Sequence, residues 1–439
     1  MNYQLLKDAY YGTGGFASGM YLTRHKRETD DDYKFRQANA YYLNYFAPIV
    51  NALVDPIFKR PPIRNYSGEL EDVIGGFLHN TDGSGTDMGT MMKQAAIMAK
   101  VYGVSFIVID MSREAAARSM AELAQQRAYP YIRVVPPEDV VEYGMDKSGN
   151  LTYIELQEIA SIDNGCIRYD RIRYGLDGWT SQGDTGLNGS GQYNLGRVPV
   201  VPLFSRLLEQ KTMLPQSDML PIAKTAQALY NHCSWLGEIL RNQTFPLLTI
   251  PSLDAQDMTI GNNNALGYSP DCSHQPEFIA PPDGPASVLQ TQITSLIQEM
   301  YRMASLSFMH QQGAYESGLS HQWEFERTNQ QLVNFAGNCA RAEESVLDVF
   351  ARWLNRETDY NVTYPDDFGI IDVAGELQEA QQVLDMGLTD GLRQEVLQRV
   401  IAAYCPNITD ERYDELMAGL EREQADELHA NPEPEPDEE

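Results

Sequence analysis

Apolar residues in the segment 217–243 (SDMLPIAKTAQALYNHCSWLGEILRNQ) fall at Ile222, Ala226, Leu229, Cys233, Leu236 and Leu240, in alternating steps of four and three. That spacing puts them on one stripe and predicts an amphipathic helix of roughly 40 Å at 1.5 Å per residue. The segment 285–307 repeats the rhythm at Leu289, Ile293, Leu296, Met300 and Met303, with Pro285 placed to open a helix. A third segment, running on from Trp323, carries Leu332, Ala336, Cys339, Val346, Phe350 and Trp353 in register, with Gly337 as a candidate kink; straight, it would measure about 50 Å. Between the first two helices, residues 244–284 hold β-prone runs at Leu247–Ile250 and Glu277–Ala280. Prolines and the Gly261–Asn264 turn separate them. This insert is too short to bury a core of its own and must lean on a neighbour.

The N-terminal half changes period. Residues 1–60 read as uneven helix, with a turn at Gly12–Gly15 and an exposed charged segment at Arg24–Asp32. From Val101 the chain alternates as strand, interrupted by a helical stretch at Glu114–Arg127. YIRVV, VVEYG, LTYIELQEI and CIRYDRIRYG then predict a meander, with DKSGN as one of its turns. Ser181–Gly196 reads as a flexible Gly-rich excursion. After a strand ending at Tyr364–Pro365, three short helices fill most of 369–430, and the Pro- and Glu-rich residues 431–439 have a disordered composition. The class is α+β.

Composition narrows the chemistry. With 439 residues and 43% hydrophobic content the chain suggests two to three compact units with a sizeable core. Five cysteines with no CxxC pair read as reduced, mostly buried thiols, and no zinc-ligand spacing is present. No apolar run is long enough to span a bilayer and the first 30 residues hold no signal-type core, which points to the cytoplasm or to a particle assembled there. The net charge is −29, the reverse of a phosphate-gripping footprint. From Asp410 onward the tail supplies −11 of this, so the preceding residues carry −18 and the body is acidic too. There is no Gly-Lys pair of a phosphate loop, no HExxH and no GxSxG, so any ATPase would be another subunit. Adjacent carboxylates such as Glu138 with Asp139, or Asp366 with Asp367, are ordinary in so acidic a chain and no cofactor is called for.

The order of helix, small α/β insert, helix, polar loop, long helix and C-terminal helices resembles the portal proteins of tailed bacteriophages. NYFAPIVNALVDPIFKRPP is similar to an early helix of that family ending in prolines, MMKQAAIMAKVYGVSFIVID to its helix running through a Gly into a strand, and YIRVVPPEDVVEY with GRVPVVPL to its two proline-bearing strand segments. The resemblance covers nearly the whole chain and implies a portal-type subunit: wing platform 1–216, stem helix 217–243, clip 244–284, second stem helix 285–307, tunnel loop 308–320, long wing helix and strand 321–368, crown helices 369–430 and tail 431–439. It further implies a homo-oligomeric ring, dodecameric in the assembled family, at one capsid vertex of the virion. Double-stranded DNA would pass through it; capsid and scaffold proteins, the terminase large subunit and tail adaptor proteins would bind it; and it would have no membrane partner and no enzymatic step. Contact with the DNA falls to the loop, where His310, Gln311, Gln312, Gly313, Tyr315 and Gly318, with His321 just beyond, offer uncharged hydrogen-bonding and stacking groups. The same loop also reads as a plain polar connection. An adaptor or scaffold of another assembly, without a channel, shares the long helices and acidity, and a hydrolase using acidic residues is a further alternative.

Overall fold

The chain divides into two units, Met1–Phe368 and Gly369–Glu439. The computed structural model describes residues 2–111, 129–164, 166–183, 188–207, 212–244, 247–251, 265–268, 275, 277–279, 284–306, 318–366 and 368, all in the first unit. The helical stretch expected near 114–127, the crown helices and the tail lie outside the described residues. The described helices are α1 (Tyr3–Tyr11), α2 (Gly14–Ala17), α3 (Asp30–Asn39), α4 (Phe46–Ala52), α5 (Glu71–His79), α6 (Met88–Tyr102), α7 (Leu220–Thr244), α8 (Gly284–Met303) and α9 (Gly318–Trp353). The strands are β1 (Ile63–Asn65), β2 (Val104–Asp110), β3 (Tyr131–Val135), β4 (Val140–Met145), β5 (Leu151–Asp163), β6 (Cys166–Tyr174), β7 (Gly178–Gly183), β8 (Gly189–Gln192), β9 (Val200–Phe204), β10 (Leu247–Pro251), β11 (Ala265–Tyr268), β12 (Glu277–Ile279) and β13 (Asn361–Thr363). The fold is α+β.

Strand β2 is buried at every position and sits between β3 and β9, antiparallel to both. Its period of two splits it between two cores. Ile107 and Ile109 face a core shared with α5, α6 and the α9 residues Leu332, Phe335, Cys339, Val346 and Phe350. Val104, Phe106 and Val108 face a second, shared with Ile154, Leu156, Ile172 and Tyr174 of a five-stranded antiparallel sheet in the order β4-β5-β6-β7-β8. A third core joins α1 and α4 to the first half of α7 and the last turns of α8. Helix α6 is capped by Asp87, whose carboxylate accepts from the Thr90 amide at 3.0 Å, and closes on Gly103 at φ 96°. A side chain at Gly103 would stand 3.1 Å from the Ser217 backbone, so glycine alone lets the chain reverse into β2 against the entry to α7.

Three expectations change. YIRVV, expected in the meander, is β3 and pairs with β2 from Phe106↔Val135 to Asp110↔Tyr131, because Ile132 and Val135 find buried partners there. The excursion at 181–196 holds the end of β7 and all of β8, hydrogen-bonded from Gly178↔Gln192 to Ser181↔Gly189, so it closes the sheet edge as a hairpin. Helix α9 begins at Gly318, five residues before the predicted Trp323, and takes in both Gly318 and His321.

The small insert is a three-stranded sheet with β10 in the middle, parallel to β11 and antiparallel to β12. Since β10 follows α7 and β12 precedes α8, the two helices enter and leave on neighbouring strands and pack on each other. Burial along α7 falls away towards the insert: Leu229 is 1% exposed and Leu240 44%.

Candidate functional site

The expected DNA-contacting residues fall in the sequence between α8 and α9. His310, Gln311, Gln312, Gly313 and Tyr315 lie outside the described residues, Gly318 is the first residue of α9, and His321 follows in its first turn. The near anchor of the loop is built in detail. Helix α8 ends in a Schellman motif: the Ser305 amide donates to the Arg302 carbonyl at 3.1 Å and the Leu306 amide to the Tyr301 carbonyl at 2.8 Å, with Ser305 at φ 60°. A serine in the left-handed region costs about 1 kcal/mol. Two contacts offset it: the Thr328 hydroxyl of α9 donates to the Ser305 carbonyl at 2.5 Å, and the Gln331 side-chain amide donates to Ser305 Oγ at 3.3 Å. Leu306 then drops into the core beside Met300 and Ala304. The loop therefore leaves from a fixed point clamped to the helix that receives it. Sequence reading missed this clamp, because its partners are 23 residues apart and share no local pattern.

Beneath the anchor lies a groove of about 900 Å³ where α7, the end of α8, α9 and β9 meet. One carboxylate, Asp218, is among its lining groups; it takes an ion pair from Lys100 at 3.1 Å and a hydrogen bond from the Ser205 hydroxyl at 3.0 Å. The Lys100 ammonium lies 5.5 Å from the Phe335 ring centroid, and Asn338 Nδ2 donates to the Phe204 carbonyl at 3.1 Å. A second groove, about 700 Å³ beside the five-stranded sheet, again holds a single carboxylate, Asp146, held below the usual range by hydrogen bonds from the Asn150 amide and side chain. A lone carboxylate in each groove provides no acid and base pair. Glu138 and Asp139 line neither groove. Glu138 accepts from Lys7 at 2.6 Å, and burial, then the charge of Glu138, raises the Asp139 carboxyl above its ordinary range. Among the described residues no group of three or more His, Cys, Asp or Glu could hold a metal ion, and no helix is long and apolar enough to cross a membrane. Cys233 and Cys339 are buried free thiols, while Cys166 is exposed.

Helix α9 is fastened to the platform by a buried charge. Glu343 is fully buried and accepts from Arg64 Nε at 2.7 Å, Tyr360 Oη at 2.5 Å and Tyr364 Oη at 2.6 Å. Burial, then the charge of Glu343, drives both tyrosine hydroxyls well above their usual pKa. Arg64 sits on β1 and Tyr364 just past β13, the two strands that pair antiparallel, so the carboxylate ties a helix to a sheet formed by segments nearly 300 residues apart. No pattern along the sequence sets Glu343 apart from the adjacent Glu344; only the tertiary fold shows that it is inside.

No protein-family model matches the chain, and no curated protein matches it. Among solved structures it is similar to a chain from the neck of an empty gene transfer agent particle computed with C6 symmetry, at 10% identity and TM-score 0.45 over 81% of this chain and 90% of that one. A chain from the virion of a native gene transfer agent particle gives 10% identity and TM-score 0.46 over 91% and 93%. One from the neck of a native particle computed with C12 symmetry gives 12% identity and TM-score 0.42 over 89% and 98%.

Proposed function

We propose that the protein is a portal subunit: copies of it close into a ring at one capsid vertex, and the genome enters during packaging and leaves at ejection through the bore. The observation that carries this reading is the run from Leu220 to Trp353, in which two mutually packed helices bracket a small three-stranded sheet and a 36-residue helix then crosses the platform core. A helix pair whose far half is exposed asks for lateral neighbours, and a ring supplies them on both sides. In this reading α7, α8 and the insert face outward to the terminase large subunit and later the tail adaptors. The platform meets capsid and scaffold proteins. The acidity supports passage over retention. Every Lys or Arg on a phosphate releases counterions and adds affinity, whereas a wall rich in carboxylates repels the duplex and keeps it moving.

The loop is the part that touches DNA, its start fixed by Ser305 and Leu306. Deleting Gln311–Tyr315 is expected to leave the ring intact by native mass spectrometry while particles carrying the variant hold less DNA. Rings that fail to form, or particles with full DNA content, contradict the role assigned to the loop.

A further inference from the structure

The two grooves beside α9 form one trough. Leu207, Asn338 and Arg341 line both, and Asn334, Asn338, Arg341 and Ser345, three or four residues apart, bring one stripe of α9 along its wall. Its charge runs against that of the chain. Among the described cations on its lining, Lys100 is held by Asp218 at 3.1 Å, and Arg197 and Arg352 share Asp348, each at 3.0 Å. Arg206 and Arg341 are exposed and form no ion pair among the described residues. Five cations thus face three carboxylates, Asp146, Asp218 and Asp348, in a chain of net charge −29. Arg341 is also fixed in place. Its Nη2 donates to Asn338 Oδ1 at 2.5 Å, and Asn338, only 8% exposed, is itself held by the Phe204 carbonyl. On either side the lining turns apolar, with Met303 and Phe335 in the larger lobe and Leu151 and Met213 in the smaller; Leu207, 69% exposed, stands between them.

We propose that this trough docks a short acidic segment of a partner protein, its carboxylate on Arg206 and Arg341 and an apolar side chain in each lobe. Charge and lining choose the occupant. A nucleic acid strand carries a phosphate about every 3.4 Å and would set several of them against Asp146, Asp218 and Asp348. A small anion would use the two arginines and leave both apolar lobes unfilled. A peptide places one carboxylate where the free guanidiniums are, in a charge-assisted contact, and apolar groups where the lining is apolar. The docking needs neither ring nor bore and so goes beyond the portal reading.

The test selects displayed random peptides of about 12 residues, which span about 40 Å when extended, on the immobilised full-length protein. Enriched peptides are then titrated by fluorescence anisotropy against the wild type, the double variant Arg206→Glu, Arg341→Glu, and Leu207→Asn. All three positions are exposed, and circular dichroism checks that the fold is unchanged. The expected peptides carry Asp or Glu between apolar residues, and their affinity falls at least about tenfold in both variants, the scale of one charged hydrogen bond or one buried side chain. No enrichment, enriched peptides without a carboxylate, or equal affinity in the variants overturns the proposal. An oligothymidylate that binds through Arg206 and Arg341 where no peptide does gives the trough to nucleic acid and overturns it too. So does a double variant that changes oligomeric state in native mass spectrometry while peptide affinity stays the same, which gives the trough to a second copy. Open-bored rings that take no peptide remove the docking site and leave the portal reading standing; peptide binding by a protein that forms no ring does the reverse.

Discussion

Glu343 shows how much a single side chain carries. Its carboxylate satisfies Arg64, Tyr360 and Tyr364 at once from a fully buried position, so Glu343→Leu would leave the half-buried Arg64 guanidinium and Tyr360 hydroxyl and the buried Tyr364 hydroxyl without their acceptor. Breaking a buried pair by removing one partner typically costs about 3–5 kcal/mol. Urea unfolding of the variant is expected to show a loss of that order; a loss below about 0.5 kcal/mol, the scale of an exposed ion pair, contradicts the buried role. The same cluster adds to the alkaline sensitivity of the fold. Tyr360 and Tyr364 have folded-state pKa values raised above the unfolded value of about 10, and burial raises Tyr3 to about 12. The folded state then holds protons that the unfolded state has already released, so the stabilisation is complete below pH of about 10 and is lost as pH rises from there through the folded values. The tyrosinate absorbance that a Tyr360→Phe, Tyr364→Phe variant lacks is expected to rise together with loss of ellipticity above that pH; a difference that titrates near 10 in a still-folded protein contradicts it. None of this is legible in the sequence, where Glu343 sits beside Glu344 and 279 residues from Arg64.

At the scale of elements the sequence is a better guide, and the reason is periodicity. The stripes predicted for α7 and α9 are largely buried, at Ile222, Ala226, Leu229 and Cys233 and at Leu332, Ala336, Cys339, Val346 and Phe350; on α8 only Met300 of the predicted stripe is buried, with Leu289, Ile293, Leu296 and Met303 half-buried. Misses cluster where neighbours decide. Strand β3 joins β2 instead of the meander because pairing partners are a tertiary choice, and β8 forms from a Gly-rich run with little β propensity because β7 offers it an edge. The loop residues chosen from sequence remain a proposal: five lie outside the described residues and Gly318 and His321 belong to a helix. Helix α7 makes a sharp comparison available. Leu229→Ala, at 1% exposure, is expected to destabilise the monomer by about 2–5 kcal/mol. Leu240→Ala, at 44% exposure, is expected to change monomer stability by less than about 0.5 kcal/mol while weakening assembly. Equal effects on monomer stability contradict an α7 that is core in its first half and interface in its second.

For the whole molecule the governing facts are acidity and unmatched surface. A chain of net charge −29 gains nothing from approaching a duplex, and its copies repel one another except where local surfaces match. In the proposed ring the exposed flanks of α7 and α8 would make the side-to-side contacts, and the acidity of the chain would let a duplex pass without being held. An adaptor without a channel would share the contacts and lack the path. Electron microscopy of the purified full-length protein, reconstructed without imposed symmetry, separates the two most directly. A portal subunit is expected to give closed rings with a central hole wide enough for a DNA duplex of about 20 Å, with α7 and α8 standing side by side around it; a monomer, a closed dimer or a ring with a filled centre is incompatible with that role.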